Sequence, residues 1–399
     1  MKPLTALLAV ACLLVLPQPA WSDSGRRFTF GLDADAKAEL VDAGLDRYVG
    51  EFTPAVSVPV GDGWVKHTFD PANGEGPICI AGTPYSVFTK LRNPARLLIM
   101  LQGGGACWQD FYNCNVLAEA QEPPPPAVGI WTDAFDTGDG YARNPVGDWS
   151  VVYLPYCDGS VFSGDNDVFD PAFGQAIGVP QAVVRFHRGL RNVTAGIDVA
   201  SSLFPRARKI MVAGSSAGGV GATAFTPFLA RFAYGNHIDL SVFNDAGPVA
   251  INLLDVAGIQ ARAADWRFGQ FYPASCADCD DQGQGTAIID WRLDNDSTIR
   301  EAFYSTDGDA TNRFFLKVPT QQQYRALLLS EHGKLHAAHP FRYKRFIRSG
   351  DASHTAIQTD LFYLGEIDGV PLNRWMRRFL WTPLPFFWPD LVEEFQPLP

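Results

Sequence analysis

Apolar residues concentrate in short runs fenced by glycine, proline and polar residues, at Arg96 to Gln102, Asp148 to Tyr156, Ile210 to Ala213 and Leu240 to Asp245. Nearly continuous apolar runs of this length predict strands buried on both faces of a parallel sheet. Ile299 to Tyr304 and Tyr343 to Arg348 read as further strands. Gln181 to Leu203 carries helical periodicity without an internal proline, a helix of small residues follows Ala213, and Pro371 to about Leu380 is amphipathic. The alternation predicts an α/β protein, a mostly parallel sheet flanked by helices.

Other stretches depart from that rhythm. Phe28, Phe30 and Leu32 alternate like an edge strand, and Gly61-Asp62-Gly63 marks a turn. Glu122 precedes four prolines, Pro123 to Pro126, which predict a surface excursion of polyproline character at a pocket rim. Residues 250–298 are too long and irregular for a simple crossover, and connections of this kind usually serve function. They predict an inserted cap, with Trp266, Phe268, Phe271 and Tyr272 as pocket walls. No internal repeat occurs.

Composition narrows the class. With 399 residues, 47% hydrophobic and 19% charged, the chain can bury a large core. A net charge of −11 leaves no bulk basic surface for nucleic acid and points to a small or neutral substrate. Met1-Lys2, an apolar run from Leu4 to Leu16, and Ala20-Trp21-Ser22 form a signal-peptide pattern, with cleavage expected after Ser22. The apolar run falls short of the roughly 20 residues a bilayer span needs. The expectation is a secreted or periplasmic protein with no stable membrane insertion: residues 1–22 as signal, 23–399 as one domain.

Without Cys12, six cysteines remain, and an even number in an exported chain reads as disulfides. Cys107 with Cys114 and Cys276 with Cys279 are close enough for local clips, which leaves Cys79 with Cys157. A zinc site would need a second C-x2-C pair or histidines at matching spacing. His332, His336 and His339 lack H-E-x-x-H spacing and read as a solvated helix face, so no metal is expected. Asn192-Val193-Thr194 and Asn295-Asp296-Ser297 match glycosylation sequons.

The chemistry gathers at Gly214-Ser215-Ser216-Ala217-Gly218, a G-x-S-x-G between a strand and a helix. That context places the central serine on a strained corner with its hydroxyl projecting from the sheet. Serine needs a base to take its proton, and the base needs a carboxylate to fix its tautomer; in this fold the chain order is serine, acid, histidine. Ser216 is the candidate nucleophile, and His354, alone among seven histidines in following a late strand, the candidate base. Asp309, Asp307 and, one strand earlier, Asp245 compete for the acid. Ala217 supplies one oxyanion amide, and the loop Gly103-Gly104-Gly105 is placed for the second.

Leu101-Gln102-Gly103-Gly104-Gly105-Ala106-Cys107-Trp108, Tyr156-Cys157-Asp158-Gly159-Ser160, Gly214-Ser215-Ser216-Ala217-Gly218-Gly219 and Ser353-His354-Thr355 occur in this order. Together they resemble the pectinacetylesterase and Notum family of extracellular carboxylesterases over about residues 75–365. The resemblance implies an α/β-hydrolase fold, removal of acyl groups, Ser216 as nucleophile, His354 as base and Asp309 as acid. It implies pairing of Cys79 with Cys157 and of Cys107 with Cys114. Asn312 stands where the family has glutamine after its acid, and Ala106 where plant members carry tryptophan.

The expected function is a secreted serine carboxylesterase acting on small acyl esters, chiefly acetyl, or on acylated polysaccharide. Gly104, Gly105 and Ala217 would hold the oxyanion, and no cofactor is implied. Lipid or protein deacylation and a non-catalytic binding protein are the alternatives.

Overall fold

The computed structural model describes residues 30–71, 74–116, 128–132, 144–382 and 387–399. The signal segment, Phe28 and the four prolines lie outside them.

A ten-stranded sheet runs through the molecule in the order Val56–Gly61, Trp64–Thr68, Ser86–Lys90, Trp149–Leu154, Asn93–Leu101, Lys209–Ser215, Asp239–Asp245, Arg300–Thr306, Tyr343–Arg348 and Leu391–Val392. The first three strands join antiparallel, and every pairing from Trp149–Leu154 onward is parallel. The parallel strands are the predicted apolar runs, and all six residues of Trp149–Leu154 are buried. Burial on both faces explains the lack of alternation.

One core cluster fills the face under the helices Gly189–Leu203 and Thr226–Tyr234. A second lies on the opposite face, around Met100, Phe243, Trp375 and Phe379. The helix Leu372–Trp381 presents its apolar stripe to that second face, as its amphipathic pattern predicts.

Four local expectations change. Helical periodicity begins late: Val184–His187 is a strand paired antiparallel with Asn166–Phe169, and only Gly189–Leu203 is helix. The alternating burial of Val-Arg-Phe-His, with Arg185 and His187 inward, decides it. Leu32 forms a single bridge to Asp296 instead of an edge strand, because Asp33 caps a helix at Ala34–Asp42. His332 is fully buried, not solvated: its ring stacks on Phe303 at 3.6 Å and is bonded to the Tyr343 hydroxyl at 2.6 Å. The sequon at Asn192 is closed, since that side chain is fully buried and exchanges two hydrogen bonds with the backbone of Ile78.

Disulfides join Cys79 to Cys157, Cys107 to Cys114 and Cys276 to Cys279. The segment 250–298 contributes the helices Val256–Trp266 and Thr286–Asn295. The second of these reaches into the main core through Ile289 and Leu293, and its Arg292 forms a buried pair with Glu301 at 2.7 Å. Beyond Leu391–Val392 the chain returns behind the neighbouring loops. The Gln396 amide donates to Ser349 Oγ at 2.8 Å and the Leu398 amide to Gln321 Oε1 at 2.9 Å.

Candidate active site

Ser216 stands between the strand Lys209–Ser215 and the helix Ala217–Thr223 with φ +56°, a left-handed conformation rare for a residue with a side chain. Such strain persists only where the surroundings impose it. Here the Ser216 amide donates to the Asp245 carbonyl at 2.8 Å, and the Ser216 carbonyl accepts from Gly219 at 2.8 Å. The helix can start this close to the sheet only because Gly214 and Gly218 lack side chains. A Cβ on Gly214 would stand 2.0 Å from the Gly218 carbonyl oxygen, and one on Gly218 would stand 2.1 Å from that of Leu101. Ala217 opens the helix, so its amide is among the first-turn donors that have no partner within the helix.

The two competing aspartates separate on geometry. Asp309 Oδ2 accepts from His354 Nδ1 at 2.7 Å, while its Oδ1 accepts the Asn312 amide at 2.8 Å and so caps the helix Ala310–Phe315. Asp307 takes bonds from Arg325, Gln321 and Ser349 and is committed there. Both are fully buried. The Asp309 bond assigns the Nδ1 proton of His354 and leaves Nε2 as the ring's acceptor. That Nε2 is buried and has no hydrogen-bond partner among the described residues. Buried polar atoms are normally satisfied, and an orphaned ring nitrogen on a histidine whose other nitrogen is held by a carboxylate is what a base awaiting a proton requires.

Asp245 takes a different part. Its fully buried carboxylate accepts the Ser215 hydroxyl at 2.6 Å and the amides of Ala356 and Ile357 at 2.9 and 3.2 Å. Burial pushes this carboxyl up to about 6, opposed by those hydrogen bonds and by the charge of His354. Asp158, in the Tyr156-Cys157-Asp158-Gly159-Ser160 stretch, is likewise raised to about 6 by burial and organises its turn through Ser160 Oγ at 2.6 Å and the Ser160 amide at 2.7 Å. Behind it, His187 donates from Nδ1 to the Asp158 carbonyl at 3.2 Å and accepts from Arg185 at 2.8 Å. Burial and the Arg185 charge hold that ring down to about 3.

Ser216 opens onto a cavity of about 140 Å³, room for on the order of ten waters. Its walls are chiefly apolar, with Val161, Val220, Phe225, Ile288 and Phe315 among them. Of the four aromatics expected from the segment 250–298, Trp266, Phe268 and Tyr272 line this space, whereas Phe271 turns into the core against Phe225. Trp108 is a wall too, stacked on Phe111 at 4.1 Å, and its hairpin is tied to the inserted segment by Trp266 Nε1 donating to the Cys107 carbonyl at 2.8 Å. Gly105 and Ala217 border the cavity. Gly104 sits beside it, with Tyr156 and Asn115 too near to admit a side chain.

The bracing role of Asp245 was hidden in the sequence, since only the fold brings residues 215, 245 and 356 together. Arg262, a further lining residue, carried no motif. Among the described residues no cluster of three or more histidine, cysteine or acidic side chains could hold a metal, and no helix is long and apolar enough to cross a membrane.

A mostly parallel sheet with a serine elbow at a strand end is the frame of the α/β-hydrolase-like carboxylic ester hydrolases, and this protein is one of them. Residues 65–262 match the family model for pectinacetylesterase, and the chain belongs to that family. Two crystal forms of the Wnt deacylase Notum from Drosophila share the fold. Form I aligns with a TM-score of 0.54 at 17% identity, over 76% of this chain and 89% of that one. Form II aligns with a TM-score of 0.53 at 17% identity, over 75% and 88%. No curated protein matches the sequence.

Proposed function

We propose that the protein is a secreted serine esterase working through an acyl-enzyme, with Ser216 as nucleophile, His354 as base and Asp309 as the acid orienting it. Ser216 Oγ attacks the ester carbonyl as His354 Nε2 takes its proton. The amides of Gly104, Gly105 and Ala217 hold the oxyanion. His354 then protonates the leaving alcohol and activates water for the second half-reaction. The observation that carries this reading is the 2.7 Å bond from His354 Nδ1 to Asp309, with Nε2 left buried and unpartnered among the described residues.

The cavity extends the reading on substrate. An acetyl methyl would leave most of an apolar space of about 140 Å³ unused, so acyl groups of several carbons fit better. Acetyl esters, on polysaccharide or on small alcohols, form the second reading, favoured by the match to the pectinacetylesterase family. Three disulfides suit an oxidising compartment, in keeping with removal of residues 1–22 and a mature single-domain chain carrying a cap at about 250–298.

The test is hydrolysis of p-nitrophenyl esters from acetate to palmitate by the mature protein and by Ser216→Ala. Turnover that needs Ser216 and rises beyond butyrate is expected. A maximum at acetate would select the second reading, and equal activity in the variant would overturn both.

A further inference from the structure

Arg262, largely shielded from solvent, is out of step with the buried arginines. Arg231 holds Asp296 through two bonds at 2.7 and 3.1 Å, Arg292 holds Glu301 at 2.7 and 2.9 Å, and Arg185 lies between Asp170 and Asp265 at 2.8 and 2.5 Å. Arg262 has a side chain only 14% exposed and makes no hydrogen bond among the described residues. Its carboxylate neighbour is Asp255, whose Oδ1 is held by Lys317 at 2.7 Å and whose Oδ2 stands 3.9 Å from Arg262 Nη1, an ion pair too long for a hydrogen bond. The guanidinium lies over the Trp108 ring, 5.0 Å from its centre, and Arg262, Trp108 and Ser216 line the same cavity. Burial lowers its proton affinity, yet arginine keeps its charge in proteins.

A guanidinium that is largely shielded from bulk solvent, with no acceptor within hydrogen-bond distance among the described residues, leaves its N–H donors on an apolar wall open to an oxygen-bearing guest. The planar fork matches a carboxylate in two parallel bonds. The carboxyl group on the lining is that of Asp281, pushed up from its ordinary value by burial and by Asp280. No ion pair joins it to Arg262 among the described residues.

We propose that Arg262 is a specificity-determining residue that binds a carboxylate at the far end of the substrate's acyl chain, so that the preferred substrates are monoesters of aliphatic dicarboxylic acids. The proposal rests on the reading of Ser216 as nucleophile. The Ser216 Oγ–carbonyl bond forms and the ester C–O bond breaks. The alcohol leaves with the proton carried by His354, and water then cleaves the acyl-serine to release the free diacid. The acyl methylenes lie against Ile288, Phe225 and Val220, and the distal carboxylate pairs with Arg262.

The experiment compares p-nitrophenyl hydrogen adipate with p-nitrophenyl hexanoate, equal in chain length, on the mature wild type, Arg262→Met and Arg262→Lys. A second pair, 4-carboxyphenyl and phenyl hexanoate, moves the carboxylate to the alcohol side. Labelling of Ser216 by a fluorophosphonate shows that each variant is folded. The expected result is a wild-type kcat/KM preference for the adipate ester that falls roughly ten- to a hundredfold in Arg262→Met and in part in Arg262→Lys. The second pair should show no such response. An adipate-to-hexanoate ratio indifferent to Arg262, or an Arg262-dependent preference only in the second pair, overturns the proposal while leaving the esterase reading intact. Failure of the wild type to hydrolyse any of these esters, or p-nitrophenyl acetate, would remove both.

Discussion

The hydroxyl of Ser215 donates to the carboxylate of Asp245 at 2.6 Å, and the same carboxylate accepts the amides of Ala356 and Ile357. One buried group thereby ties the residue before Ser216 to the loop bearing His354. Asp245→Asn puts an amide where Ser215 and Ile357 both need an acceptor, so one of them loses its partner. We expect kcat to fall roughly ten- to a hundredfold with KM nearly unchanged, because the loss is in the alignment of the reacting groups. Equal loss in KM and in melting temperature, with kcat untouched, would assign Asp245 a purely structural part.

Asp309 and Asp307 stand two residues apart yet should behave differently. Asn at 309 can still cap the helix Ala310–Phe315 but no longer holds the Nδ1 proton of His354. Asp309→Asn should lower kcat by about 10³- to 10⁴-fold with little change in melting temperature. Asp307→Asn breaks a buried pair with Arg325 and should cost about 3–5 kcal/mol of stability, with activity following the folded fraction. Denaturant titration alongside steady-state kinetics separates the two.

Acid stability should be governed by two histidines buried in the neutral form. His187 and His332 are held to about 3 against an ordinary 6.5, chiefly by burial. As pH falls from 6.5 toward 3 the unfolded chain takes up protons that the native one refuses, so stability declines across that window. Asp158 and Asp245, raised to about 6 from 3.8, act in the opposite sense between 6 and 3.8, a narrower window. The net expectation is loss of stability on acidification. His332→Phe, which keeps the stack on Phe303 but gives up the bond to Tyr343, should cost about 1 kcal/mol at neutral pH and flatten the decline. Thermal melts from pH 7.5 to 4 would show it, and parallel curves for the two proteins would refute it.

Chain-length preference should follow the cavity floor. Ala224 lines it, and Ala224→Leu adds bulk there without touching the elbow. The ester profile should move to shorter acyl groups by about two carbons, with acetate turnover the least affected. A profile shifted instead in proportion at every length would place the acyl group elsewhere.

The strands of the parallel sheet and the strand-to-helix corner at Ser216 were legible in the sequence because each obeys a local rule: buried strands are continuously apolar, and a tight corner needs small neighbours. The strand Val184–His187 was not, since its inward Arg185 and His187 look polar until the partners at Asp170 and Asp265 are known. His332 failed for the same reason, as burial of an imidazole depends on Phe303 and Tyr343 arriving from other strands. Asp245 and Arg262 act across 30 and more residues, and nothing in local periodicity encodes that.

The tail that returns behind Ser349 and Gln321 sets a schedule for biosynthesis. Ser216, Asp309 and His354 leave the ribosome in that order, but the backing supplied by Glu393, Gln396 and Leu398 emerges after all three. The site therefore cannot be locked while the chain is still being elongated through these residues. A nascent chain exposes Ser216, Asp309 and His354 before the tail that backs Ser349 and Gln321 has been made.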